Sequence, residues 1–480
     1  MNAQFQRAWQ SLAEAVTGYW PGLAAFFGLL LAIVVTSHIV MHKRDARAAA
    51  AWTGVVWLVP VIGALLYWIL GVNRINRHVR LLIESENLQH FDFPPQVQPR
   101  PRVSHLNNLA ELGNRLTGLP LTSGNRVIAM EAPDAYHEII RAIDEAEESV
   151  YLVTYIFAND RAGHGVTDAL SRAVERGVRV RVLIDGMGLL YSFPPILGRL
   201  RRQGIVVERF LHSLAPWRMP YINLRNHRKI IVIDRRIGFT GGMNLRAGYL
   251  DNPVSIRDVQ VRVDGPSVGH LLRSFVADWL FTTGEALDGS YAGDNGSGGV
   301  LARGISAGPD ADFGKRRLTL LAAVGAAQHE IRIVTPYFVP DQTLMTALQL
   351  ACMRGVRVEL MVPANNNLRF VHWASMHQLI WLLEEGCEIY FSTGPFDHTK
   401  IMTVDGYWSM LGSGNWDARS LRLNFEFDLE CYDEALALNL NGLIDKRRAN
   451  ARRISIGDLA DQPYWRRLRN ALASILEPYL

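Results

Sequence analysis

Asn226-His227-Arg228-Lys229-Ile230-Ile231-Val232-Ile233-Asp234 and Asp397-His398-Thr399-Lys400-Ile401-Met402-Thr403-Val404-Asp405 share one pattern, His-x-Lys-x-x-x-x-Asp. Each runs into a Gly-rich turn that ends in Asn: Thr240-Gly241-Gly242-Met243-Asn244, and Leu411-Gly412-Ser413-Gly414-Asn415. The second copy lies 171 residues after the first, for the His pair and the Asn pair alike. The apolar run after each His predicts a buried strand. Residues two apart on a strand share a face, so each His and its Lys point into one site and the residue between them points away. Asp234 and Asp405 fall on the opposite face or past the strand end, which makes them structural partners by geometry. Glycine lets each turn bend tightly and approach a ligand closely. Asn244, Asn415 and Ser413 then offer polar groups to an anion.

Outward from these motifs the chain repeats itself. Ala132-Pro133-Asp134-Ala135 precedes a helical stretch and the run Val150–Phe157; a further helix leads to Gly177-Val178-Arg179-Val180-Arg181-Val182-Leu183-Ile184-Asp185. Gly308-Pro309-Asp310-Ala311, Ile331–Phe338 and Gly355–Pro363 follow the same order. Strand, helix, glycine, alternating strand is a βαβ unit, and two copies indicate a duplicated α/β region. Gly284–Gly308, rich in Gly, Ser and Asp, reads as a flexible linker between the copies. Tyr191–Leu224 breaks the repeat, and its Leu214, Trp217, Met219 and Tyr221 fit either a lid or bilayer-dipping loop or ordinary packing. In Asn365–Glu385, the near-helical spacing of Phe370, Trp373, Met376, Leu379 and Trp381 predicts a packed helix.

The first 80 residues differ in kind. Ala15–His42 and Ala48–Asn73 contain no Asp, Glu, Lys or Arg. Each exceeds the roughly 20 residues needed to cross a bilayer. Two transmembrane helices, about 19–41 and 48–71, are expected. The intervening loop carries Lys43, Arg44 and Arg47; Arg7, Arg74, Arg77 and Arg80 lie on the other side, a balance that leaves orientation open. A basic, then Pro-rich, connector follows to Arg102. The expected segments are 1–80 for the membrane helices, 81–123 for a juxtamembrane linker, 124–283 for the first repeat, 284–303 for a Gly/Ser-rich linker and 304–480 for the second repeat. The last segment closes with Tyr464-Trp465-Arg466-Arg467-Leu468-Arg469 and an apolar helix, which suits a membrane interface or simple packing.

Composition excludes some classes. Net charge is +4 and 49% of residues are hydrophobic, unlike a chain with the concentrated positive field of a nucleic-acid binder. Cys352, Cys387 and Cys431 show no disulfide or zinc spacing, which favours a reducing compartment and a cytoplasmic catalytic region. Two imidazoles suit phosphodiester chemistry, one attacking phosphorus and one releasing the alkoxide. Lys229 and Lys400 add positive charge for the phosphoryl oxygens. No ligand cluster calls for a metal, and no cofactor is expected.

Both motifs and both turns resemble the phospholipase D superfamily and its duplicated HKD motif, formed here by His227, Lys229 and Asp234 and by His398, Lys400 and Asp405. With paired N-terminal hydrophobic helices the resemblance narrows to the bacterial cardiolipin synthase family. It extends through Pro60–Arg74, Arg225–Lys229, Gly412–Asp417 with Arg419-Ser420, and Asn424-Phe425-Glu426. Ile256 departs from the tryptophan usual before Arg257-Asp258. The resemblance implies a phospholipase D-like α-β-α catalytic region with one shared active site. It also gives the HKD residues catalytic roles and makes Asp258, 31 residues after His227, and Glu426, 28 after His398, the acids that orient the histidines. It implies a bacterial inner-membrane enzyme. Its reaction joins two phosphatidylglycerol molecules into cardiolipin and glycerol through a phosphatidyl-histidine on His227. Membrane phospholipids are the implied partners, with no nucleic acid and no obligate protein partner. A hydrolytic membrane phospholipase D, or an HKD nuclease, uses the same motifs.

Overall fold

The computed structural model describes residues 2–43, 46–71, 99–211, 224–251, 255–293, 296–309 and 312–475. They fall into two compact units, residues 2–71 and residues 99–475. The Arg74, Arg77 and Arg80 connector, the Leu214–Tyr221 insertion and the last five residues lie outside the described residues.

In the first unit one helix runs from Asn2 to His42. Its Gly18–His42 portion has 25 residues of membrane-spanning apolarity. At about 1.5 Å per residue that length exceeds the roughly 30 Å of a bilayer core. The second expected span is helical but broken: Ala46–Leu58, then Pro60–Leu66, then a wider turn over Tyr67–Gly71. Pro60 has no N–H to donate back into the preceding turn, so Val59 leaves helical geometry and the helix restarts. Among the described residues, then, one helix of crossing length is present where two were expected. Ala32, Ile39, Trp52, Val56 and Tyr67 form a small buried cluster. His38 Nδ1 and the Tyr67 hydroxyl pair within it at 2.9 Å.

The second unit holds two mixed sheets. Its strands are β1 Thr122–Gly124, β2 Arg126–Glu131, β3 Ser149–Thr154, β4 Arg179–Asp185, β5 Val206–Phe210, β6 Arg225–Asn226, β7 Ile230–Ile233, β8 Ile237–Gly241, β9 Ile256–Arg257 and β10 Val259–Asp264. The second copy supplies β11 Gly298–Ala307, β12 Glu330–Val334, β13 Phe338–Val339, β14 Arg357–Pro363, β15 Glu388–Ser392, β16 Phe396–Asp397, β17 Ile401–Val404, β18 Trp408–Gly412, β19 Trp416–Asp417, β20 Asn424–Tyr432 and β21 Arg452–Ile454. The first sheet is ordered β2-β10-β8-β7-β3-β4-β5, and the second contains β11-β20-β18-β17-β12-β14-β15. The two orders correspond strand for strand, as the repeat predicts. β3, β4 and β5 run parallel, as do β12, β14 and β15, so each sheet is built on crossover units.

Three boundaries differ from expectation. Gly298–Ala307, read as linker, is a strand that pairs with β20 from Leu301 to Ala307. Residues 104–124, read as juxtamembrane, belong to the second copy: β1 pairs with β11, and Leu106, Leu109, Ala110 and Leu121 enter that copy's core. The Tyr191–Leu224 stretch does not break the repeat where it is described. Helix Leu197–Arg202 and β5 take the places of helix Arg369–Glu384 and β15 in the second copy. Helix Arg369–Glu384 buries Met376 and Leu379, as its spacing predicts, and part-buries Trp373 and Trp381, but Phe370, expected to pack, is exposed.

Candidate active site

Two very short strands bring the copies together. β6 pairs parallel with the start of β20, and the His227 N–H donates to the Phe425 carbonyl at 2.8 Å. β16 pairs parallel with β9, and the His398 N–H donates to the Arg257 carbonyl at 2.8 Å. Each histidine is therefore carried on a strand that pairs with the other copy. Both imidazoles are nearly buried, 9% and 8% exposed.

The acids cross over. Counting along the chain set Asp258 beside His227 and Glu426 beside His398. Instead His227 Nδ1 lies 2.9 Å from Glu426 Oε2, and His398 Nδ1 lies 2.8 Å from Asp258 Oδ2. A carboxylate accepts, so it fixes the proton on Nδ1 and leaves each Nε2 to the substrate. Lys229 and Lys400 donate to the carbonyls of His227 and His398 respectively. Arg228, between His227 and Lys229, turns the other way into a buried pair with Asp278 at 2.5 Å.

The two imidazole–acid pairs are unequal. Glu426 also accepts from the Ser413 hydroxyl, the Ser420 hydroxyl at 2.8 Å and the Asn424 amide at 3.2 Å. Burial alone would raise its carboxyl; the His227 ring, Lys229 and Ser413 reverse this and hold it down to about 2. Asp258 has the Val259 N–H and the His398 ring, and burial pushes it up to about 7. Burial also lowers both imidazoles, His398 well below its usual value with help from Lys400 and Lys229. The same desolvation brings Lys229 to about 7 and Lys400 to about 8, so neither ammonium is fixed near neutral pH.

Other expected residues are placed as follows. Asn244 accepts from the Ile156 N–H at 3.2 Å and donates to the Tyr249 hydroxyl at 3.4 Å. Asn415 Oδ1 is buried and has no hydrogen-bond partner among the described residues. Ser413, expected at the phosphate, is committed to Glu426 and accepts from the Phe427 N–H. Asp234 accepts from the backbone N–H groups of Glu147, Glu148 and Ser149. Asp405 accepts from those of Gln328, His329 and Glu330, and from His105 Nε2 at 2.7 Å. Neither aspartate hydrogen-bonds a motif His or Lys. They clamp the turns that lead into β3 and β12.

Residues missed in the sequence line the same space. The Tyr155 ring lies 5.1 Å from His227 and 5.8 Å from Lys229 Nζ. The Tyr337 ring lies 6.4 Å from His398, and the Tyr249 hydroxyl is 3.3 Å from His398 Nδ1. Tyr155 and Tyr337 close the two equivalent strand runs, a placement that is a usable signal. Arg316 binds the carbonyls of Gly414 and Asn415 and the Asp428 carboxylate, fixing the second Gly-rich turn. Gly242 is required by close approach: a Cβ there would sit 2.4 Å from the Asp258 carboxylate.

Comparisons with known proteins identify the relatives of this chain. Residues 139–279 and 320–447 match the family described as "Cardiolipin synthase, PLD-like domain". Residues 30–71 match the phospholipase D-nuclease N-terminal family. The major cardiolipin synthase of Bacillus subtilis (strain 168) is 30% identical over 482 residues, covering 95% of this chain and 98% of that protein. The cardiolipin synthase of Geobacillus kaustophilus (strain HTA426) is 30% identical over 491 residues, 98% of this chain and 97% of that protein. The crystal structure of phosphatidylserine synthase from Haemophilus influenzae Rd KW20 superposes with a TM-score of 0.61 over 78% of this chain and 100% of that chain, at 14% identity, which speaks to the fold. The chain belongs to the cardiolipin synthase family of the phospholipase D superfamily.

Proposed function

We propose that this protein is a cardiolipin synthase that transfers a phosphatidyl group between two phosphatidylglycerol molecules. The observation that carries the reading is the crossed site, in which each imidazole is oriented by a carboxylate of the opposite copy beside a buried lysine. In the first step Nε2 of His227 attacks phosphorus and the P–O bond to the headgroup glycerol breaks. His398 passes a proton to the leaving alkoxide, so glycerol departs and a phosphatidyl-histidine remains. In the second step His398 takes the proton from a glycerol hydroxyl of a second phosphatidylglycerol. That oxygen attacks phosphorus, the P–N bond breaks, and cardiolipin leaves with His227 restored. Lys229, Lys400, Asn244 and Asn415 serve the phosphoryl oxygens; Ser413 serves Glu426.

The unequal pairs support the division of labour. Glu426 is strongly ionised and holds His227 in one tautomer, which suits a nucleophile. The His398–Asp258 pair has a carboxyl near 7, which suits a group that gives and retakes a proton. Phosphatidylglycerol is anionic, so its phosphate favours the charged lysines when it binds.

The N-terminal unit supports membrane attachment. On this reading Gly18–His42 is one crossing, and Ala48–Leu58 with Pro60–Ile69 forms a second, broken at Pro60. The setting is a bacterial inner membrane, with the catalytic unit on the cytoplasmic side. The test uses the full chain in vesicles whose phospholipid is phosphatidylglycerol, with products followed by mass spectrometry. Cardiolipin and glycerol in equal amounts are expected, and both vanish in His227→Ala and His398→Ala. Phosphatidic acid without cardiolipin would make the protein a hydrolase.

A further inference from the structure

Tyr464–Ile475 is an amphipathic helix that packs by the narrow edge carrying Asn470 and Ala473. The residues it buries are Asn470 and Ala473, against helix Arg369–Glu384. Its large apolar side chains face outward: Tyr464 76%, Trp465 59%, Leu468 45%, Leu472 55% and Ile475 71% exposed. With 3.6 residues per turn, these five fall within an arc of about 100°, nearly opposite the buried edge. A terminal helix that only closed a core would turn Leu468 and Leu472 inward.

Basic side chains accompany the stripe. Arg466 lies over the Trp465 ring at 5.2 Å. Arg469 is sandwiched between Trp373, 4.4 Å away, and Trp465. Arg467 lies on the other border of the stripe and is exposed. The helix contains no acidic residue.

We propose that this face seats on an anionic lipid bilayer, with the five apolar side chains at the headgroup–acyl boundary and Arg467 and Arg469, at the two borders of the stripe, near lipid phosphates. Aromatic residues at one end, aliphatics along the stripe and flanking arginines are what such an interface rewards. A second copy is a poorer occupant. Two such helices placed face to face would bring arginines together with no acid on either helix to neutralise them.

The seating reaches the site. Ala473 shares one apolar cluster with Tyr337, Val339, Val371 and Ala374. Tyr337 flanks His398 and its hydroxyl donates to Asn367 Oδ1 at 2.8 Å. Leu368 and Phe370, at the start of the supporting helix, are also exposed. The helix thereby presents the second-copy wall of the site to the lipid surface. This consequence rests on the proposed function; the seating does not.

The test labels Leu472→Cys with an environment-sensitive fluorophore in the full chain. A Cys352→Ala background is used because the other two thiols are buried. The protein is reconstituted in phosphatidylcholine vesicles with or without phosphatidylglycerol, and brominated acyl chains serve as quenchers. The expected result is a blue-shifted label, quenched by bromine, with quenching strongest when phosphatidylglycerol is present. A solvent-like, unquenched label overturns the proposal. So does an unquenched label that cross-links between copies, which would make the face a self-association surface. In a second arm Leu468→Glu is combined with Leu472→Glu. Cardiolipin formation from bilayers should fall by roughly tenfold, the scale of exposing one buried leucine, with no change on short-chain phosphatidylglycerol dispersed as monomers. Equal activity on both substrates, or equal loss on both, contradicts the link to the site. If the unsubstituted chain makes no cardiolipin from either substrate, the proposed function fails while the quenching result still decides the seating.

Discussion

His227 Nδ1 is held by Glu426, 199 residues further along the chain and in the opposite copy, at 2.9 Å. His398 and Asp258 reciprocate at 2.8 Å. Neither copy contains both a motif imidazole and the acid that holds its Nδ1. The duplicated chain therefore builds one site rather than two, and each half depends on the other for its tautomer.

Glu426→Gln should lower kcat by on the order of 10²–10⁴ while the protein stays folded, because general acid–base catalysis is worth about that much and the amide orients the ring poorly. Asp258→Asn should lower kcat too and shift the pH profile, since that acid titrates near neutrality. Steady-state rates on phosphatidylglycerol vesicles, with circular dichroism for folding, check both.

Asp234→Ala and Asp405→Ala should act on stability. Each removal leaves three backbone N–H groups without their acceptor, at a cost of about 1–3 kcal/mol for each group that stays dry. Denaturant titration should show both variants less stable, with kcat of the folded fraction within about threefold of the parent, in contrast to losses on the scale of acid–base catalysis.

The pH profile has a predicted sign. Lys229 and Lys400 of the free enzyme lose their charge as pH rises through about 7 and about 8, so kcat/KM falls on the alkaline side well below the usual lysine range. Burial lowers His227, so it stays neutral and nucleophilic into mildly acid solution and the acid limb lies below the ordinary histidine value; His398, which must carry a proton to release the alkoxide, is lowered too and brings the alkaline fall down with it. For stability, Glu426 is depressed when folded. Its contribution is complete above the unfolded glutamate value and is lost as pH falls through about 2. Activity and unfolding free energy against pH separate the two effects.

Gly242→Ala should reduce activity while leaving the first copy's motif intact. The added methyl group meets the Asp258 carboxylate, which displaces the orienter of His398. A kcat loss with little change in KM, measured on vesicles, is expected.

Much of this was legible in the sequence, for a local reason. The spacing of His227 to Lys229 and of His398 to Lys400 encodes a strand face, and alternation needs no partner to be read. The glycine turns and the repeated βαβ order are local as well. The crossing of Asp258 and Glu426 was not legible, because it depends on β6–β20 and β9–β16, parallel pairings of only two residues each. Of Gly298–Ala307 only Gly298 and Gly299 carry linker composition; Val300–Ala307 is apolar-rich, and β20 offers it an edge from Leu301 onward. Pro60 was visible, but whether a proline kinks or breaks a helix depends on its surroundings.

The most direct test of the central claim is to catch the covalent intermediate. The full chain is mixed with phosphatidylglycerol vesicles, quenched during turnover, digested under conditions that spare a phosphoramidate, and analysed by mass spectrometry. The predicted result is a phosphatidyl group on the peptide that contains His227, absent in His227→Ala. An adduct on the His398 peptide alone, or cardiolipin formation with no adduct on either histidine, would contradict it.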